Sequence, residues 1–361
     1  MIRKVFDTKN KFISLFNTET GAYMRTGILD DNGKDTGIDP FMATMPQLLD
    51  IGIMGSCPNG RLGICAKSGV QCYQNGLNQW EPNMTLEDYE SIMKQCHDKT
   101  FQIALGGRGD ANLHENFKEI LECTRKYNMV PNYTTSGINL TDEQIKLTKE
   151  LCGSVAVSWY RNDITLNSIN RFIQAGVKTN IHYVLGNNTI DEAITRLKNN
   201  DFPKGINAII FLLHKPVGQG QQRNVLQVED PKVKEFFEII DNCMGKVDFK
   251  IGFDSCSVGG ILSFSKNIDP ISIDACEGAL FSAYISSDMK MIPCSFDNQD
   301  LKWAVDLRKY SLEEAWNSEQ FNNFRNIHKT GCKSQCNNCN LKTVSCRPCP
   351  IVPQINLCNK S

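Results

Sequence analysis

The chain of 361 residues is 41% hydrophobic and sets 39 Lys plus Arg against 40 Asp plus Glu, a formal net charge of -1. That balance excludes a binder of polyanions such as nucleic acid, in which basic residues outnumber acidic ones and cluster. No uncharged run approaches the roughly 18 residues of a membrane span, and the opening MIRKVFDTKNKFISLFN has no signal-peptide core, so the chain reads as cytoplasmic, with no membrane partner.

In chain order, residues 1–46 read as an N-terminal segment with a β-hairpin at the turn DDNGKD. Then short apolar, β-branched runs recur: LLDIGI (48–53), FQIALGG (101–107), VPNYTT (130–135), SVAVSWY (154–160), KTNIHYVLG (178–186), NAIIFLLH (207–214) and FKIGFD (249–254). Each is a candidate buried strand. Amphipathic segments alternate with them: TLEDYESIMKQC, LHENFKEILECTRKY, TDEQIKLTKEL, TLNSINRFIQAG, TIDEAITRLKNN and DPKVKEFFEIIDNC. Thr141 and Thr189 read as N-caps of the third and fifth of these. Six to seven βα units imply a parallel α/β sheet, either a barrel or an open doubly wound sheet. In a barrel, functional groups belong on the loops after the strands.

Unusual residues fall on those loops. LLDIGI is followed by SCPNGRLGICAKSGVQCYQNG, which carries Cys57, Cys65 and Cys72. FQIALGG runs into GGRGD, where Gly106, Gly107 and Gly109 let backbone approach a ligand and Arg108 and Asp110 offer opposite charges. The next loop supplies Thr134, Thr135 and Ser136. KTNIHYVLG carries His182 and Tyr183, and LLHKPVGQGQQR carries His214 and Lys215. Such a ring suits a cofactor with amino, carboxylate and ribose groups.

Sixteen cysteines in a reducing compartment point to metal or iron–sulfur ligation rather than disulfides. Cys96, Cys123, Cys152 and Cys243 sit singly in helical patterns and read as small core residues. The rest form an N-terminal trio and a C-terminal group of Cys256, Cys276, Cys294, Cys332, Cys336, Cys339, Cys346, Cys349 and Cys358. The trio has seven and six intervening residues, unlike a zinc ribbon.

Taken together, the trio with its aromatic in QCYQNG, the glycine pair after the second strand and the βα repeat resemble the radical S-adenosylmethionine superfamily. The family's usual spacing is CxxxCxxC, whereas this loop reads CxxxxxxxCxxxxxxC; closure entropy grows only logarithmically with length, and Pro58, Gly60, Gly63 and Gly69 supply turns. The family's GGE acid has its counterpart in Asp110, three residues beyond Gly107. DACEGALFSAYISSDMKMIPCSF and CKSQCNNCNLKTVSCRPCP resemble the SPASM extension, which carries auxiliary iron–sulfur clusters. Cys332, Cys336 and Cys339 reproduce CxxxCxxC by number, but they follow no strand of the repeat.

The resemblance implies a partial (β/α) TIM-type barrel over 47–255 and a SPASM-like cluster domain over 256–361. It implies S-adenosylmethionine and a four-iron four-sulfur cluster on Cys57, Cys65 and Cys72, with Gly106, Gly107, Arg108, Asp110, Thr135, Ser136 and His182 toward the cofactor. One or two auxiliary clusters would use Cys276, Cys294 and Cys349 with Cys256, and Cys336, Cys339, Cys346 and Cys358. The implied activity is hydrogen abstraction from a peptide or protein by a 5′-deoxyadenosyl radical, fed by a flavodoxin or ferredoxin. A radical enzyme acting on a small molecule shares every motif. A zinc-holding module without chemistry, or a simple electron carrier, would use the cysteines alone.

Overall fold

A computed structural model describes residues 1–269, 272–297, 300–330, 339, 346–347 and 349–359. Cys332 and Cys336 therefore lie outside the described residues. The N-terminal strands β1 (Ile2–Asp7), β2 (Phe12–Asn17) and β3 (Tyr23–Arg25) form an antiparallel sheet in that order. DDNGKD closes a turn whose flanks pair in an isolated antiparallel bridge, Leu29 with Asp35, and Asp30 N donates to Lys34 O at 2.9 Å; the three strands of the sheet precede it. What anchors this sheet is aromatic: Phe16 stacks on Phe101 with ring centroids 5.4 Å apart.

The chain then alternates: β4 (Leu48–Ile51), two single-turn helices α1 (Pro58–Arg61) and α2 (Ile64–Lys67), α3 (Leu86–Cys96), β5 (Gln102–Leu105), α4 (Phe117–Lys126), β6 (Val130–Thr135) and α5 (Asp142–Leu151). It continues with β7 (Ser154–Ser158), α6 (Asp163–Gln174), β8 (Thr179–Leu185), α7 (Ile190–Asn199), β9 (Ala208–Leu213), α8 (Pro231–Cys243), β10 (Lys250–Phe253) and α9 (Val258–Phe264). The seven strands β4 to β10 are parallel and adjacent in chain order, and β10 does not return to pair with β4. The result is a partial (β/α) barrel.

The sheet runs on past residue 255. Strand β11 (Ser282–Ile285) pairs parallel with β4, and β12 (Lys290–Ile292) and β13 (Val305–Asp306) follow antiparallel, giving ten strands in one sheet. The C-terminal segment thus shares the barrel's hydrogen-bonded edge; α10 (Leu312–Trp316) and α11 (Glu319–Thr330) follow it.

Pleating explains the two faces. Leu49, Ile51, Ile103, Leu105, Val155, Val157, Ile181 and Ile209 are buried with Ile120, Phe172 and Phe236 of the helices in one hydrophobic core. Opposite residues are mostly small or polar and half-buried, with Tyr284 buried and Ile210 apolar, and strand register aligns them in rows: Tyr284, Asp50, Ala104 and Asn132, then Ser158, His182, Ile210 and Gly252. Cys96, Cys123 and Cys243 are buried in the core, and Cys152 packs against it.

The two threonine caps differ. Thr141 forms a capping box with Gln144, each side chain accepting the other's backbone N–H at 3.2 and 3.1 Å. Thr189 does not cap α7, because its hydroxyl turns back to donate to Val184 O at 2.8 Å and accept from Gly186 N at 2.9 Å.

Candidate active site

The loop leaving β4 packs its long spacers into helical turns. Cys57 is the N-cap of α1 and its Sγ accepts from Gly60 N at 3.1 Å; Gly63 then takes the left-handed conformation that separates α1 from α2, on which Cys65 sits. Gly76 brings the other two thiols together: a Cβ there would stand 3.5 Å from Cys72 Sγ and 3.8 Å from Cys57 Sγ. Cys65 interacts electrostatically with both, and Tyr160, after β7, hydrogen-bonds its thiol. Burial pushes the Cys57 thiol up and that of Cys65 up to about 12, so both are neutral until a metal displaces the proton.

Three contacts pin this loop to the mouth of the barrel. Arg108 donates to Gly55 O at 2.8 Å and to the side chain of Gln79, so its guanidinium straps the loop. Asn162 Nδ2 donates to Ser68 Oγ at 3.1 Å. Asn59, buried on α1, donates to Asp110 Oδ2 at 3.1 Å. Asp110 also accepts from Ser136 N at 2.9 Å and from the Ser136 hydroxyl, and burial pushes its carboxyl upward despite these bonds. A carboxylate has about four acceptor positions, so one remains open.

Gly106 and Gly107 do more than offer backbone. A Cβ on Gly107, at φ +90°, would stand 2.4 Å from Tyr284 Oη, and one on Gly106 would stand 3.5 Å from Asp50 Oδ1. The pair makes room for two side chains that sequence reasoning left out. Thr135 falls on the helix side of the pleat, where its hydroxyl accepts from Gly137 N at 3.0 Å. His182 lies on the inner face of the sheet between Ser158 and Ile210, and burial lowers it to about 4 against the pull of Asp254, so the imidazole is neutral at physiological pH. Tyr183, one residue on, points the other way and donates to Thr189 O at 2.8 Å. His214 Nε2 pairs with Gln221 O at 3.1 Å. A cavity of about 400 Å³ opens between the cysteine loop and the β11–β12 turn, lined by Met54, Gln74, Trp80, Arg108, Tyr284 and Asp288.

A second thiol group assembles from distant segments. Cys256 follows β10, Cys276 and Cys294 flank β11 and β12, and Cys349 comes from the C-terminal block. Cys256 and Cys294 each interact with both Cys276 and Cys349, and burial raises Cys276 to about 11. Gly278 N donates toward the Cys276 thiol, and Arg347 Nη1 donates to Cys276 O at 3.1 Å. Cys358 lies beside Gly259, whose added Cβ would stand 3.5 Å from Cys358 Cβ. Among the described residues no three Cys, His, Asp or Glu side chains stand at single-ion distances. Grouped thiols are the donor type that iron–sulfur clusters take.

The SPASM family, described as an iron–sulfur cluster-binding domain, matches residues 276–340. SuiB of Streptococcus suis bound to S-adenosylmethionine superposes with a TM-score of 0.65 at 13% identity, covering 88% of this chain and 78% of that one. The chain shares the fold of SuiB, and its residues 276–340 match the SPASM family. SuiB bound to the precursor peptide SuiA matches this fold over 99% of this chain and 98% of its own, with a TM-score of 0.69 at 12% identity. Another protein that shares this fold is anSMEcpe with bound AdoMet and the Cp18Cys peptide, with a TM-score of 0.59 at 15% identity over 83% of this chain and 88% of that one. A curated relative from Pyrococcus furiosus, a tungsten-containing aldehyde ferredoxin oxidoreductase cofactor-modifying protein, is 21% identical over 323 residues, 78% of this chain and 86% of its own. Among the described residues no helix is long and apolar enough to cross a membrane.

Proposed function

We propose that this chain is a radical S-adenosylmethionine enzyme that abstracts hydrogen from a peptide or protein substrate, drawing electrons from a flavodoxin or ferredoxin in the cytoplasm. The observation that carries the reading is the convergence of Cys57, Cys65 and Cys72 at the mouth of the barrel's inner face, one bond from the Asn59–Asp110–Ser136 network. An iron–sulfur cluster held by these three cysteines would supply the electron that splits the sulfonium of S-adenosylmethionine. The residues around it do the positioning. Arg108 and Asn59 hold the loop, Asp110 takes an amino group at its open acceptor position, and neutral His182 presents a ring nitrogen to the cavity. Cys256, Cys276, Cys294 and Cys349 hold one auxiliary cluster; Cys339, Cys346 and Cys358, with Cys336 outside the described residues, are assigned to another. The domain limits follow, with 1–46 a sheet-forming segment, 47–255 the radical barrel and 256–361 the auxiliary-cluster domain. Bound peptides in two proteins of the same fold support the substrate class, and the cavity beside Trp80 and Tyr284 is the entrance proposed for it.

Anaerobic purification with iron and sulfide counted per chain tests this reading. Eight to twelve irons, at about four per cluster, are expected, with deoxyadenosine released under dithionite. Zinc without iron, or an iron-loaded protein that leaves S-adenosylmethionine intact, overturns it. Asp110→Asn is expected to weaken S-adenosylmethionine binding about tenfold or more, as loss of one charge-assisted hydrogen bond of roughly 1.5–3 kcal/mol requires; unchanged affinity by equilibrium dialysis removes Asp110 from the role.

A further inference from the structure

The loop after β9 touches both thiol groups, and neither group by itself accounts for that. On one side Gln219 N donates to Cys72 O at 2.9 Å, and Gln221 N and Asn224 Nδ2 both donate to Gln71 Oε1 at 3.0 Å. Gly218, at φ +63°, lies so close that a Cβ would stand 2.3 Å from Tyr73 O and 2.6 Å from Cys72 O. On the other side Lys215 is 4% exposed, and its Nζ donates to Leu213 O at 2.7 Å and Asp254 Oδ2 at 2.5 Å. The same Nζ stands 4.5 Å from the centre of the Phe296 ring. Phe296 packs on Tyr73 with centroids 4.7 Å apart, and it follows Cys294 by two residues while Tyr73 follows Cys72 directly.

We propose that Lys215 is a positioning residue whose fixed positive charge, delivered from the barrel, raises the reduction potential of the cluster held by Cys256, Cys276, Cys294 and Cys349. This rests on the iron–sulfur reading of those thiols. A cation in a poorly solvated site favours the more negative, reduced state of a cluster, and net charge and nearby hydrogen bonds set cluster potentials. The Asp254 carboxylate accepts from Leu213 N at 3.1 Å and from Ser257 Oγ at 2.9 Å as well as from Lys215. Cys256 follows Asp254 by two residues and Cys294 precedes Phe296 by two, so both thiols belong to segments that contact the ammonium. The consequence is directional: electrons leaving the barrel's inner face meet an auxiliary acceptor made easier to reduce by a barrel residue.

The test is a redox titration of the anaerobically purified, iron-loaded full chain, followed by electron paramagnetic resonance, for wild type, Lys215→Met and Lys215→Arg. Lys215→Met is expected to move one cluster signal to lower potential at unchanged iron content, and Lys215→Arg to leave it near the wild-type value. If the single variant fails to load because Asp254 is left buried and alone, Lys215→Met/Asp254→Asn removes both charges, and its signal is again expected below wild type. Full iron with no potential moved, or an arginine variant that moves as far as methionine, overturns the proposal alone. A wild-type chain without iron overturns it together with the enzymatic reading.

Discussion

Changing Cys57, Cys65 and Cys72 together to Ala is expected to abolish deoxyadenosine formation and to remove about four irons per chain, the content of one cluster, while the remaining iron stays. The expectation follows from how separately the two thiol groups are built. The trio lies on one loop held by Arg108, Asn59 and Asn162, none of which depends on a thiol. The second group is drawn from β10, the β11–β12 hairpin and the C-terminal block, so it survives loss of the first. Folding should survive too, because the core is made by strand residues and helices away from the loop. Iron and sulfide analysis, circular dichroism and a deoxyadenosine assay on one preparation decide it. Cleavage that persists, or iron that disappears altogether, would sink the assignment of the odd-spaced loop as the radical site.

The parallel strands were legible because each is a short apolar run bounded by turn residues, and all seven appear within a few residues of the expected limits. What the runs concealed is their second face. LLDIGI reads as uniformly buried, yet Asp50 points to the inner cavity while Leu49 and Ile51 point to the helices. The grouping of three cysteines on one loop was legible from the sequence alone, but the support of that loop was not. Asn59, Tyr160 and Arg108 act through contacts with residues tens of positions away, and sequence spacing carries no record of these. Tyr284 was the hardest to foresee. It comes from the segment assigned to the cluster domain and enters the barrel only because β11 adds to the edge of β4 in register with Asp50. The glycines at 106 and 107 were read as room for a ligand, and part of that room belongs to Tyr284 and Asp50.

Asp50→Asn is expected to stabilise the ligand-free protein above neutral pH and to flatten part of its pH dependence. Asp50 sits on the inner face between Tyr284 and Ala104 in adjacent strands, and burial raises its carboxyl from 3.8 to about 7. The folded chain therefore holds a proton that the unfolded chain has released between about pH 4 and 7. Over that window the native state binds more protons, so this residue's contribution to stability falls as pH rises and reaches its full penalty above about 7. Three units at about 1.4 kcal/mol each set that penalty at about 4 kcal/mol, an upper value because relaxation and solvent in the cavity reduce it. Asparagine has nearly the same shape and no charge to bury. Urea unfolding of both proteins at pH 5.5 and 8.5 should show the variant ahead at both, by about 2 kcal/mol more at the higher pH. Equal differences at both would mean that Asp50 is already solvated or paired in the native state. A carboxyl kept neutral on this face has a use as well, because it can take up a proton or ionise against a positively charged group once substrate fills the cavity beside Gly106.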